Sequence, residues 1–236
     1  IHRRQRQMCI RDRTDAFSGE LMGNTGETCA LEYGISREES DAYSLRSHKL
    51  SAKGWENGGI EKECVSMEEL SIDEGIRQDA DMSTLTSLKP VFSEGGQVTA
   101  GNASQVSDGA SAVLVASEET ARRMGLPVLA RIVDYTTSGV EPSRVMSAPI
   151  PAVEELLSRN KLSVGDIGLF EHNEAFASAS CSIRKHFQIP ENRFNVNGGA
   201  ISIGHPLGAT GTRCLMTLVN SMRSCLLYTS PSPRDP

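Results

Sequence analysis

The sequence predicts a layered α/β fold. Short apolar runs of strand type alternate with segments of helical type, and caps and glycines mark where one gives way to the next. With 236 residues, 38% of them hydrophobic, the chain can also bury a substantial core without disulfide staples.

The elements follow in order. Thr25 is placed to cap a short helix that Gly34 ends, glycine being suited to the left-handed conformation there. Ser36 and Glu39 have capping-box spacing and open a polar helix running to about Lys53. Its faces are charged or small, which predicts a surface position. Trp55 to Leu88 is polar, acidic and weakly periodic, an excursion from the core of the kind that covers a ligand. After Pro90, Gly95, Gly96, Gly101 and Gly109 punctuate a loop of small residues. Ala110 to Ala116 has the length of a buried strand. Ser117 then caps a helix from Glu118 to Met124, closed by Gly125. Val128 to Tyr135, β-branched and aromatic, predicts another strand. Pro151 suits a helix start, with Val153, Leu156 and Leu157 as its apolar stripe. Ile167 to Phe170 returns to strand, Ala175 to Phe187 to helix, and Leu207 to Met222 to a last helix. No internal repeat is present.

Charge is uneven along the chain. Residues 1–13 carry five Arg and one Asp, a net of +4, and the tail from Ser224 is neutral. Removing both from the overall −6 leaves −10 for residues 14–223, an acidic body that argues against nucleic acid as a partner. The basic start has a second reading as a nucleic-acid arm. However, IHRRQRQMCIRDR and CLLYTSPSPRDP resemble translated sequencing-adapter read-through and lack helical or strand periodicity, so residues 1–13 and 224–236 are expected to be non-native. No apolar run approaches the roughly 20 residues of a membrane-spanning helix, and no secretory leader pattern opens the chain. The six cysteines form no CxxC pair and no regular spacing. Neither a metal site nor a disulfide framework is expected from them, and their scatter fits a reducing compartment.

Two motifs carry chemistry. Glu171-His172-Asn173-Glu174-Ala175-Phe176-Ala177 falls where a predicted strand ends and a helix begins, the edge at which α/β sheets bind ligands. Asn173 is either a helix cap or a carboxamide able to hold a water or donate to a carbonyl oxygen. The second motif runs from Asn195 through Gly198-Gly199 to Gly204-His205-Pro206 and Gly211. It places His205 on a glycine-framed turn before a helix, as a structural histidine or a candidate base. No Gly-Lys-Ser/Thr ending and no G-x-G-x-x-G spacing is present, so a nucleotide loop is disfavoured.

Taken together, NEAFA followed by NVNGGAISIGHPLGATG resembles the thiolase family. The likeness extends back through Val98–Ser104, Ser36–Ala42, Met22–Glu27 and Thr14–Phe17, in the family's order. It implies an αβαβα layered fold, here incomplete, with the N-terminal half and the last strands missing. Residues 14–118 correspond to the end of the family's N-terminal domain with part of its covering loop, and 119–223 to a truncated C-terminal domain. The implied chemistry is cleavage of a 3-ketoacyl-CoA by free coenzyme A, or the reverse Claisen condensation of acyl-CoA molecules. Coenzyme A serves as substrate, with no cofactor and no metal.

By the same resemblance, His205 matches the histidine that activates a nucleophilic cysteine and faces the thioester oxygen. Asn173 matches the residue that holds a water beside it. Phe176, Ser104 and Ala100 match positions along the pantetheine channel, and Arg77 and Thr84 positions near the nucleotide end. The family's oligomers imply a homodimer or tetramer, and cytoplasmic placement is the default. Both family cysteines, the nucleophile upstream of Thr14 and the one in a Cys-x-Gly-Gly-Gly segment, are absent, so this polypeptide is not expected to turn over. Two rivals remain. A ketoacyl synthase-like condensing enzyme has histidine where Asn173 stands, and a non-catalytic acyl-CoA or lipid-binding homologue is compatible with the lost cysteines.

Overall fold

The computed structural model describes residues 13–68 and 70–224. The suspect termini lie outside this range except for Arg13 and Ser224, as do Cys9 and Cys225.

Helix α1, Met22–Tyr33, starts three residues before the position given to Thr25: Leu21 stands at its N-cap, and the Thr25 hydroxyl instead donates to Met22 O inside the first turn. Gly34 closes α1 at φ 57°, the left-handed conformation that spares a Cβ clash. Helix α2, Arg37–Glu56, opens on the predicted capping box, with Ser36 and Glu39 satisfying each other's backbone N–H groups. Its predicted surface position is wrong. Ser40, Asp41, Tyr43, Ser44, Ser47, His48, Ser51 and Gly54 are buried, and on that face the Ser47 and Ser51 hydroxyls find partners across the core in Glu174 and Ser202.

The short helix α3, Met82–Ser87, is capped by Asp81 and tied to α2 by Arg37, whose guanidinium bonds Asp41 and the Leu85 and Leu88 carbonyls. Helix α4, Glu118–Met124, has the predicted Ser117 cap and Gly125 stop. Helix α5, Pro149–Asn160, begins at Pro149 rather than Pro151. Helix α6, Ala177–Phe187, starts two residues later than predicted and is buried from Ala177 through Ile183. Its Ala and Ser side chains let α1 and α2 approach closely, and Ser178 donates to Gly26 O in α1. A single turn, α7 (Ala200–Ile203), precedes the last helix, α8 (Leu207–Ser224).

One cluster joins these elements: Ala30, Ile35, Tyr43, Ile150, Ala177, Cys181, Ile183, Ile189, Phe194 and Ile201. Among the described residues, β pairing is confined to isolated bridges, including Phe170 with Phe194 and Ala103 with Phe176. The strands predicted at Ala110–Ala116 and Val128–Tyr135 form no β pairing, with Leu114 82% and Val133 75% exposed. That at Ile167–Phe170 is reduced to the single bridge at Phe170. A strand needs a neighbour to hold its backbone, and none is supplied here. Among the described residues no helix is long and apolar enough to cross a membrane.

Candidate active site

Two loops and one strap build the site. The loop carrying Asn173 leaves Phe170, whose N–H donates to Arg193 O, and runs beside the segment carrying Asn195, whose N–H donates to Phe170 O. Asn195 laces the two together. Its carboxamide accepts from His172 N at 2.7 Å and donates to His172 O at 2.8 Å and to Glu174 Oε1 at 3.0 Å.

Glu174, with no exposed surface, is the knot of the site. Its Oε1 also accepts from Tyr43 Oη (2.8 Å), and its Oε2 from Ser47 Oγ (2.6 Å) and Ile201 N (3.2 Å). One carboxylate therefore anchors the Asn173 loop to α2 and to the turn leading into His205. Two glycines in that turn are obligatory. Gly198 and Gly204 have φ 74° and 95°, and a Cβ would run into Ser47 and Ser51 at the first and Ser107 at the second.

The strap is 102–105. Ala177 N donates to Asn102 O, Ser104 N donates to Ala175 O, and Gln105 O accepts from His205 N at 3.2 Å. The Gln105 carboxamide reaches the Gly75, Ile201 and Ser202 carbonyls, tying the excursion between α2 and α3 to the same turn.

In this frame the two predicted centres meet: Asn173 Nδ2 lies 3.3 Å from His205 Nε2. The cap of α6 is Phe176 rather than Asn173, so Asn173 is free of that duty. Its Oδ1 is buried with no hydrogen-bond partner, an acceptor available to a water or a ligand group. Ser104 adjoins both motifs through the strap. Phe176 is 8% exposed, its ring edge-on to Phe92 at 6.2 Å and pressed against Gly26. Ala100 is exposed in the turn just before Asn102. Arg77 and Thr84 sit on the excursion with exposed side chains. Arg77 donates its N–H to His48 Nδ1, and the Thr84 hydroxyl donates to Asp81. No hydrogen bond joins either of them to the Asn173–His205 pair.

Burial lowers the His205 pKa from its ordinary value, with Arg13 and Arg213 adding to the effect, so the imidazole is neutral at pH 7. A neutral imidazole is the form that can accept a proton. Burial likewise pushes Glu171 up to about 8, although Arg213 donates to its carboxylate at 2.6 Å and pulls the other way. The thiols are poor nucleophiles here. Burial raises Cys181 to about 12 and Cys214 to about 11, and Cys29 and Cys64 are raised as well.

Sequence reasoning did not find Glu174, Asn195, Gln105, Thr210 or the Glu171–Arg213 pair as supports. Most of their partners lie far away along the chain, and no local spacing signals such a contact. Glu174 and Asn195 stand inside the two motifs, but their spacing alone assigns them no role.

Comparison with known proteins shows the family and the fold. The family model for the thiolase N-terminal domain matches residues 2–119, and that for the thiolase C-terminal domain matches residues 126–225. A probable acetyl-CoA acyltransferase of Staphylococcus aureus (strain bovine RF122 / ET3-1) is 40% identical over 218 residues, 89% of this chain and 56% of that protein. The crystal structure of human mitochondrial 3-ketoacyl-CoA thiolase in complex with CoA superposes with a TM-score of 0.88 at 38% identity, covering 92% of this chain and 56% of that one. The Bacillus anthracis acetyl-CoA acetyltransferase structure gives a TM-score of 0.88 at 36% identity, covering 92% and 57%. The chain thus spans a little over half the length of these relatives, and the expected αβαβα fold is present in incomplete form. It belongs to the thiolase family.

Proposed function

We propose that the whole protein to which this chain belongs is a coenzyme A-dependent acyltransferase. It cleaves a 3-ketoacyl-CoA with free coenzyme A, or runs the reverse condensation of two acyl-CoA molecules. The observation that carries this is the 3.3 Å approach of Asn173 Nδ2 to His205 Nε2, made by two loops that one buried carboxylate holds in register. In this reading His205 takes the proton of a nucleophilic thiol, and the thiolate then attacks the substrate carbonyl. Asn173 and His205 stabilise the thioester oxygen, directly or through a water, as charge develops on it. Ser104, Phe176 and Ala100 line the pantetheine arm, and Arg77 and Thr84 face the nucleotide end.

The chain alone should not turn over, because none of Cys29, Cys64, Cys181 and Cys214 is bonded to His205, whose partners are Asn173 and Thr210, and burial raises all four thiols. Expression of the intact reading frame and assay of acetoacetyl-CoA thiolysis tests the proposal. His205→Ala should lower turnover by about 10²–10⁴-fold, the range for loss of a general base. Turnover retained by that variant refutes the role of His205, and no thiolysis of any 3-ketoacyl-CoA by the intact enzyme refutes the activity.

A further inference from the structure

The imidazole of His205 has a second nitrogen that the chemistry above does not use, and its partner decides which nitrogen is basic. His205 Nδ1 lies 2.7 Å from Thr210 Oγ1, in the first turn of α8. Thr210 is 4% exposed, and its hydroxyl donates to Pro206 O at 2.9 Å. A hydroxyl has one hydrogen, so toward His205 Thr210 has only a lone pair to offer. Nδ1 must then carry the ring proton, and Nε2 is left bare. The far side of the ring agrees: the Asn173 group at 3.3 Å is the amide nitrogen, a donor suited to a bare Nε2. The opposite tautomer would set Nε2–H against that N–H and would need the Thr210 hydroxyl to leave Pro206 O and donate to Nδ1 instead.

We propose that Thr210 is a positioning residue that locks His205 in the Nδ1–H tautomer, so that Nε2 faces the reacting groups as the base. Its hydroxyl acts as a one-way acceptor because the Pro206 carbonyl holds its only proton. The role rests on His205 being the base of the reaction, but it predicts a property of the resting imidazole that can be read without turnover.

The test uses the 236-residue chain labelled with ¹⁵N, in which the two imidazole nitrogens of His205 are assigned by comparison with His205→Asn. In the native chain at pH 7, Nδ1 should resonate as the protonated nitrogen and Nε2 as the bare one. Thr210→Val, close in shape but without the acceptor, should lose that ordering, the ring shifting toward the Nε2–H form that free histidine favours. Thr210→Ser should restore it. A native chain with the proton on Nε2 overturns the proposal whatever the variants do, including a Thr210→Val chain that fails to fold. So does a folded Thr210→Val chain that keeps Nδ1 protonated, or a serine variant that fails to restore the order. The thiolysis assay of the intact enzyme decides the activity separately, so failure of one reading is distinguishable from failure of the other.

Discussion

Two regions of this chain invert the usual rule of burial. Around Glu174, polar side chains are fully enclosed: Glu174, Ser47, Ser51, Asn195 and Ser202 have essentially no exposed surface. Between the strap and α5 the reverse holds, with Leu114, Val115, Val128, Ile132, Val133 and Tyr135 open to solvent. The first region is held by groups paired with one another, whereas the apolar side chains of the second stand open and its backbone has no β partner among the described residues. Order around the site thus follows satisfied partnerships more closely than hydrophobicity, and the Asn173 Oδ1 acceptor stands out as a buried group there left without a partner.

Breaking the knot should have the largest effect. Glu174→Ala leaves Tyr43, Ser47, Asn195 and the Ile201 N–H without their acceptor. The expected loss is about 5 kcal/mol or more, enough to unfold a domain of ordinary stability in a denaturant titration. A loss under about 1 kcal/mol would show that the carboxylate is not what joins the loops.

Arg213→Met sharpens the same contrast. It strips the partner from Glu171, whose side chain is 3% exposed and which burial raises to about 8, and should cost about 1–3 kcal/mol by the same measurement.

An acid titration gives a smaller, graded effect. Burial lowers His48 and His172 from 6.5 to about 4, so each is neutral in the fold and takes up a proton on unfolding in the window between. Through these two groups the unfolded state binds more protons, so stability falls as pH drops from about 6.5 to about 4. Glu171, raised by burial to about 8, keeps its proton in the fold and offsets about one of the two down to its ordinary 4.5. Each histidine contributes a slope of at most about 1.4 kcal/mol per pH unit. Stability unchanged across that window would contradict the buried neutral assignment.

Substitution in the open region should do least. Leu114→Ser and Val133→Thr are expected to change stability by no more than about 0.5 kcal/mol, because neither side chain is packed. A loss of 2 kcal/mol or more would mean that the segment has a partner.

The same contrast explains what the sequence could and could not tell. Caps are local, and the Ser36–Glu39 box, the Ser117 cap and the Gly34 and Gly125 stops stand as spacing alone predicts. The two motif histidine and asparagine positions were legible because their glycine and junction setting is also local. Helix α2 was misjudged because Ser44, Ser47 and Ser51 look like solvent-facing residues until their partners, Glu174 and Ser202 among them, are known. Ala110–Ala116 was misjudged in the opposite sense. Its composition is that of a buried strand, but pairing is a property of two segments, and a single run of residues cannot supply it. Thr210 gave no signal at all, since a threonine in a first helical turn is common.

In the proposed function Asn173 and His205 converge on the sulfur-bound carbonyl of an acyl-CoA. A crystal structure of the intact enzyme with acetyl-CoA tests it most directly. Once His205 Nε2 has taken the thiol proton, the thioester oxygen should lie within about 3.2 Å of that N–H and of Asn173 Nδ2, or be joined to them by one water. A pantetheine arm that ends elsewhere, with neither side chain reaching the carbonyl, would contradict it.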